Sequence, residues 1–493
     1  MPLFQGGDED CLFLDVYVPG KALKNPSLKL PVLVYIFGGG YVFGSKDSLQ
    51  PELPFYDGSG MIGQASGNMI FVAINYRLGA YGFLAGTTME KEGLPNAGLW
   101  DQRAALQWVQ SYIGLVGGDP KRVTAMGESA GAGSILHHLV AQGGKLDPLF
   151  SKAIALSPAY QWLWDRAGKV QNVFETFASL AGCKGQGLAC LRKAAASTLA
   201  KANSALVDAV PAGSFAVGPT PDGSFIRQLP VLEYSTGNFY NIESIILSHC
   251  ADESTLFVPG ALKTDAQFTT FVDSVFPNYT QARGINKLIT NFYPPVGAKS
   301  PFRTVSGRVE AFLRDSSFTC NIRQVNEAFG DAKVWNMQYS VTPGWHGTDL
   351  VPTFFNPQLT ADSFLQCLAT LMVPVVAPLV AGISAAMQSY FASYVTSGNP
   401  NTNRRVLNLP PTVPWNHPNS RGEHIAGVVN VGNWGFGTVA DDQNPKTPCD
   451  FWRNIAAAVT SLGGYAPPGA VLSQGLVSVD GDASVNYVGG NAR

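Results

Sequence analysis

The stretch Val123-Thr-Ala-Met-Gly127-Glu-Ser129-Ala-Gly131-Ala-Gly-Ser-Ile-Leu136 sets a serine between two glycines, where a short apolar run gives way to an apolar helical one. Glycine two residues before and two after the serine lets the backbone turn more sharply than a Cβ would allow. That is the spacing of a nucleophile elbow, which lifts a serine hydroxyl above the edge of a sheet. The motif requires a strand before it and a helix after it. Thr124 to Met126 predicts a buried strand and Ile135 to Val140 a helix, so the stretch commits the chain to an α/β architecture.

At 493 residues and 46% hydrophobic, the chain can bury a large core. Neither a linker, a charge run nor a fixed-period repeat divides it, which predicts a single α/β domain over residues 1–493. A net charge of −2 and a pI near 6.3 offer no electrostatic attraction for nucleic acid or anionic lipid. The expected partner is a small uncharged molecule. Seven cysteines without a C-x-x-C argue against zinc and thiol redox chemistry, and no metal or cofactor is expected. Cys183 and Cys190 bracket a glycine-rich loop, the spacing of a small disulfide loop. Asn278-Tyr-Thr280 is the one glycosylation sequon. Met1 to Asp10 lacks the basic start and apolar core of a signal peptide. The run from Cys367 to Ala386 is apolar for about the length that spans a bilayer. Pro374, Pro378 and Gly382 interrupt it, which predicts a partly exposed loop entering a helix over Ile383 to Val395 rather than an integral span.

Leu30 to Phe37 is a continuous apolar run of strand type, and it ends on Gly38-Gly39-Gly40. Glycines there let backbone N–H groups face a developing negative charge, as an oxyanion hole requires. Met69 to Asn75 predicts another strand and Asn96 to Tyr112 a helix. Lys152 to Leu156, Ser244 to Ser248 and Lys333 to Tyr339 predict further strands, with helices over Phe174 to Leu180 and Leu188 to Ala205 outside the sheet. Strand alternating with helix implies a mostly parallel sheet. Four of these strands deliver glycines, a serine, carboxylates or a histidine just past their C-terminal ends, where open α/β sheets bind ligands.

A serine hydroxyl is a weak nucleophile near neutral pH and needs a histidine base held by a carboxylate. His137 and His138 lie about two turns up the helix that starts at the serine, too far to reach back. No strand precedes His417 or His424, and His249 comes before the carboxylates. His346 follows a strand, is flanked by Gly344 and Gly347, and completes the chain order serine, acid, histidine. For the acid, Asp252 and Glu253 remain equal on position, with Asp349 behind them. Glu128 is expected to point below the turn as a structural carboxylate. Trp162, Trp164 and Trp345 are candidates for the walls of a substrate pocket.

At these residues the chain resembles the type-B carboxylesterases, the family of cholinesterases and fungal secreted lipases and sterol esterases. Glu9-Asp-Cys-Leu-Phe-Leu-Asp15-Val-Tyr-Val-Pro19 resembles the family's second signature. Asn75 to Leu84, Asn96 to Arg103 and Gly117 to Gly131 match as well. The resemblance implies an α/β-hydrolase fold and a serine esterase acting on uncharged carboxylic esters, without a cofactor. It implies Ser129 as nucleophile, His346 as base and Glu253 as the acid, with N–H donors at Gly39, Gly40 and Ala130. It also implies disulfides Cys183–Cys190 and Cys320–Cys449, with Cys11, Cys250 and Cys367 free, and an extracellular setting. Lipase or sterol esterase activity, acyl transfer or cyclisation on the same triad, and a non-catalytic cholinesterase-like binding module are the alternatives it brings.

Relatives carry some tens of residues before the Glu-Asp-Cys signature. Their absence here predicts an unpaired sheet edge at Leu12 to Val18, a more open cleft over Ser129 and no interfacial activation. Self-association through that edge or through residues 367–386 is a further expectation.

Overall fold

Apolar runs without alternation become strands buried on both faces, and the computed structural model, which describes residues 8–48, 56–356, 377–408 and 411–463, joins them in one mostly parallel sheet. The strands are β1 (Leu14–Tyr17), β2 (Leu30–Ile36), β3 (Ile70–Ile74), β4 (Gly118–Glu128), β5 (Lys152–Leu156), β6 (Ser244–Cys250), β7 (Val334–Tyr339), β8 (Ile425–Gly432) and β9 (Gly435–Asp441). Their order is β1-β3-β2-β4-β5-β6-β7-β8-β9, parallel from β3 through β8 and antiparallel at each end. Every residue of β2, β3, β5 and β6 is buried, so helices cover both faces.

The direction of winding reverses between β2 and β4. At such a switch point the loops leaving neighbouring strands part and open a crevice at the strands' C-terminal ends. Gly38 to Gly40 follow β2 and Ser129 follows β4, so the two most informative stretches meet there.

The expected strands all form, with β4 far longer than the three residues anticipated. The β8–β9 hairpin was not anticipated, because glycines at 427, 432, 435 and 437 break the apolar pattern that would signal it. The expected helix over Leu188 to Ala205 is two helices, Gly187–Leu191 and Ala196–Asp208, the first tied back by the Cys183–Cys190 disulfide. The expected helix over Ile383 to Val395 extends over Ala377–Ser397. Among the described residues no helix is long and apolar enough to cross a membrane. The apolar run falls partly, and Cys367 wholly, outside the described residues.

A second apolar cluster, built on Trp162, Trp164, Phe268, Phe312 and Trp452, packs beside the main core. Cys320–Cys449 bonds two of the segments that meet in it. Cys11 and Cys250 are free. β1 ends the sheet, with β3 as its one strand neighbour among the described residues.

Arg323 fixes the approach to the final hairpin. Its side chain is 1% exposed and donates to the carbonyls of Ser420, Gly422, Glu423 and Asn444. Arg323→Leu should therefore lower unfolding stability by about 3 kcal/mol, because four carbonyls lose a charged donor. Urea unfolding measures this, and an unchanged midpoint would mean that water replaces the guanidinium without loss.

Candidate active site

Ser129 sits on a turn that few residues other than glycine adopt, with φ 53° and ψ −121°. Such strain persists only where the surroundings over-determine it, and here they do. The Ser129 N–H donates to Leu156 O at 2.9 Å, while its carbonyl accepts from Gly133 at 2.8 Å and Ala159 at 3.0 Å. A Cβ on Gly131 would lie 2.0 Å from Ile36 O, and one on Gly127 would lie 2.5 Å from the Gly131 carbonyl carbon. Both glycines are needed for the helix to start this close to β2.

Gly39 and Gly40 have φ 109° and 60°, again outside the range of most side chains. Among the described residues, neither their N–H groups nor that of Ala130 finds an acceptor within the protein. All three residues border the same cavity as Ser129. The cavity holds about 300 Å³, and Phe43, Phe215, Val217, Phe257, Leu313 and Phe318 make its wall largely apolar. Phe215 presses so closely on Gly40 that a Cβ there would lie 2.2 Å from the ring. Its loop is clamped by Gln161, which accepts from Phe215 N–H at 2.8 Å and donates to Gly213 O at 3.0 Å.

His346 reaches the cavity from the loop after β7, which pairs with the loop after β6. Asp252 N–H donates to Gly344 O, and His346 N–H donates to Asp252 O. The two carboxylates that sequence position left equal separate here. Asp252 spends its side chain on the Thr255 N–H, while Glu253 Oε2 accepts from His346 Nδ1. The other Glu253 oxygen accepts from Cys250 N–H at 2.6 Å.

Glu128 departs from expectation. Its carboxyl does not lie below the turn but borders the cavity, with Oε1 3.3 Å from His346 Nε2. Gly38 leaves the space, since a Cβ there would fall 2.6 Å from Glu128 Oε2. His346 Nε2 has no hydrogen bond, to Ser129 or to any other described group. Contacts of this kind are often long in unliganded enzymes and tighten when substrate binds.

The electrostatics follow from crowding three carboxyls round one buried imidazole. Burial alone would lower the pKa of His346, but Glu253, with Glu128 and Asp349 behind it, raises it to about 9. Burial pushes Glu128 and Asp349 above the usual carboxyl range. Glu253 is buried too, yet the charge and hydrogen bond of His346 pull it below that range, so it keeps the negative charge. Among the described residues no cluster of His, Cys, Asp or Glu is placed to hold a metal ion.

The tryptophans do not border the cavity. Trp162 donates from its indole N–H to Ser316 O, Trp164 packs edge-on against Tyr279, and Trp345 is 40% exposed beside His346. The walls that sequence reasoning missed are phenylalanines. Phe257 follows Glu253 by four residues and meets the His346 ring at 5.2 Å, a nearness the sequence does signal. Phe318 meets the same ring at 4.9 Å from a π-helical turn, Arg314–Thr319, which has no sequence signature of its own.

A model of the carboxylesterase family matches residues 2–433. A secreted lipase of Arthroderma benhamiae is 41% identical over 460 residues, covering 93% of this chain and 85% of that protein. The carboxylesterase patB of Penicillium expansum is 33% identical, covering 91% and 75%. Among solved structures, Aspergillus niger EstA superposes with a TM-score of 0.74 at 27% identity, covering 93% of this chain and 85% of that one.

Two outcomes follow from the geometry. Gly131→Ala should displace the start of the helix from β2 and cost at least roughly a hundredfold in kcat/KM on an activated ester, as a misplaced reacting group does. Near-normal turnover would show that the close approach is not required. Glu128→Gln removes a carboxyl whose ionised form favours protonated His346, so the neutral imidazole should form at lower pH. The acid limb of kcat/KM should move down the pH scale, and an upward shift would contradict the charge assignment.

Proposed function

The chain belongs to the carboxylesterase family and hydrolyses esters, and from that premise we propose that it does so through Ser129, His346 and Glu253 by way of an acyl-enzyme. Ser129 Oγ attacks the ester carbonyl as His346 Nε2 takes its proton. Glu253 holds Nδ1–H, keeping the imidazole in the tautomer whose Nε2 lone pair is free. The tetrahedral oxygen takes hydrogen bonds from Gly39, Gly40 and Ala130. Collapse expels the alcohol, protonated by His346, and leaves Ser129 acylated. Water then attacks with the same base and restores the serine.

The observation that carries this reading is the strained Ser129 turn opening onto a cavity that His346 also borders, with Glu253 hydrogen-bonded to that imidazole from behind. The largely apolar wall suits an uncharged ester. A water-insoluble one is favoured by Phe43 and Leu256, 51% and 53% exposed, and by the likeness to a secreted lipase. That likeness also supports action outside the cell. Asn278, exposed at the start of the helix Asn278–Ala282, would be open to glycosylation during export.

Ser129→Ala should lower turnover of a p-nitrophenyl ester roughly a million-fold, and His346→Ala by a similar factor, as groups acting in concert do. Glu253→Gln should cost roughly ten-thousandfold and Asp252→Asn far less. Turnover that survives Ser129→Ala would overturn the mechanism, and the reverse ranking of the carboxylates would reassign the acid.

A further inference from the structure

His249 was set aside as the base on chain order, yet it is buried one hydrogen-bonded step behind the acid. Its Nε2 lies 2.7 Å from Asp441 Oδ2 and its Nδ1 lies 2.8 Å from the Cys250 carbonyl. His249 and Asp441 are both about 1% exposed, and neither borders the cavity. A carbonyl can only accept, so Nδ1 donates. Asp441 also accepts from Gln443 N–H at 2.8 Å and faces Arg314, and both favour its carboxylate. Nε2 therefore donates as well, and the ring is an imidazolium. Burial would lower its pKa, but Asp441 and, more weakly, Glu253 raise it to about 9.

This charge stands beside the one stretch of backbone that grips the acid. The Cys250 carbonyl accepts from His249, while the Cys250 N–H donates to Glu253 Oε1. The titratable and charged groups facing the pair are Glu253 on the turn after β6, the Cys250 thiol, held neutral by burial, and Arg314 on the π-helical turn. Glu128 and Asp349 lie with His346 instead.

We propose that His249 and Asp441 are positioning residues that decide which carboxyl of the buried cluster carries the negative charge. The proposal rests on the Ser–His–Glu reading above. With the imidazolium in place, charge settles on Glu253, Nδ1 of His346 keeps the proton and Nε2 is free to act as a base. Without it, Glu253 holds a proton more readily, and negative charge on Glu128 would draw the proton to Nε2, which is 3.3 Å away. That tautomer cannot accept the serine proton.

Asp441→Asn keeps the side-chain shape and removes the charge that holds His249 protonated. His249→Phe with Asp441→Leu removes both charges at matched bulk, a replacement that buried ion pairs often tolerate. In each variant kcat on p-nitrophenyl acetate should fall about tenfold or more, the scale of a lost orienting partner, with KM unchanged. Removing a nearby positive charge raises the proton affinity of the Glu253–His346 pair, so the acid limb of kcat/KM should move to higher pH. A folded variant with wild-type kcat and acid limb would overturn the proposal and leave a structural staple. Loss of folding in both variants would also count against it, since a requirement for folding explains the burial without any role at Glu253. Failure of the triad reading would look different, as turnover that survives Ser129→Ala.

Discussion

The site depends on one contact between backbones. Gly131 lets the first turn of the elbow helix rest against Ile36 O at a distance no side chain would allow. Because that helix begins at the C-terminal edge of β2, Ser129 and the glycines after β2 share one small space. The strained torsion at Ser129 is held by hydrogen bonds from both flanks, to Leu156 on β5 and from Gly133 and Ala159. Strain of this kind costs of order 1–3 kcal/mol and is sustained only where packing admits no alternative. The fully buried strands on either side supply that packing.

The second constraint is charge. Four carboxyls, Glu128, Glu253, Asp349 and Asp441, and two imidazoles lie buried at or behind the cavity, and they cannot all be ionised. The arrangement resolves this by position. Glu253 has a backbone N–H on one oxygen and His346 on the other and is held below the usual carboxyl range, while burial pushes Glu128 and Asp349 above it. The His249–Asp441 pair adds a neutral total charge but places its positive end toward Glu253. Local placement, more than the number of acids, determines which carboxyl is hydrogen-bonded to His346 Nδ1.

Much of this was legible in the sequence, for physical reasons. Buried parallel strands are written as largely apolar runs, so β2, β3, β5 and β6 could be read directly, and β7 from its apolar and aromatic residues despite Asn336 and Gln338. The elbow and the glycine triplet are written in glycines that a tight turn demands. His346 could be picked by its place after a strand, whereas the choice between Asp252 and Glu253 came only with the family resemblance. In the structure it turns on which side chain points across to the next loop, and a sequence does not record that. The same limit explains Glu128, expected below the turn as a structural carboxylate and found beside the imidazole. It also explains the tryptophans, which sequence counts as large aromatics near the site but packing consigns to the second core and the rim. Phe318 was out of reach because a π-helical turn reads like any helix.

The central claim is that Ser129 is the nucleophile that carries the acyl group. A fluorophosphonate mimics the ester carbonyl and stops at the tetrahedral adduct, so mass spectrometry of the digested, labelled protein locates the reacting oxygen. The account predicts one phosphonyl group per chain, on the peptide containing Ser129, and none after His346→Ala within the same reaction time. A label on another residue, or labelling undiminished in Ser129→Ala, would contradict it.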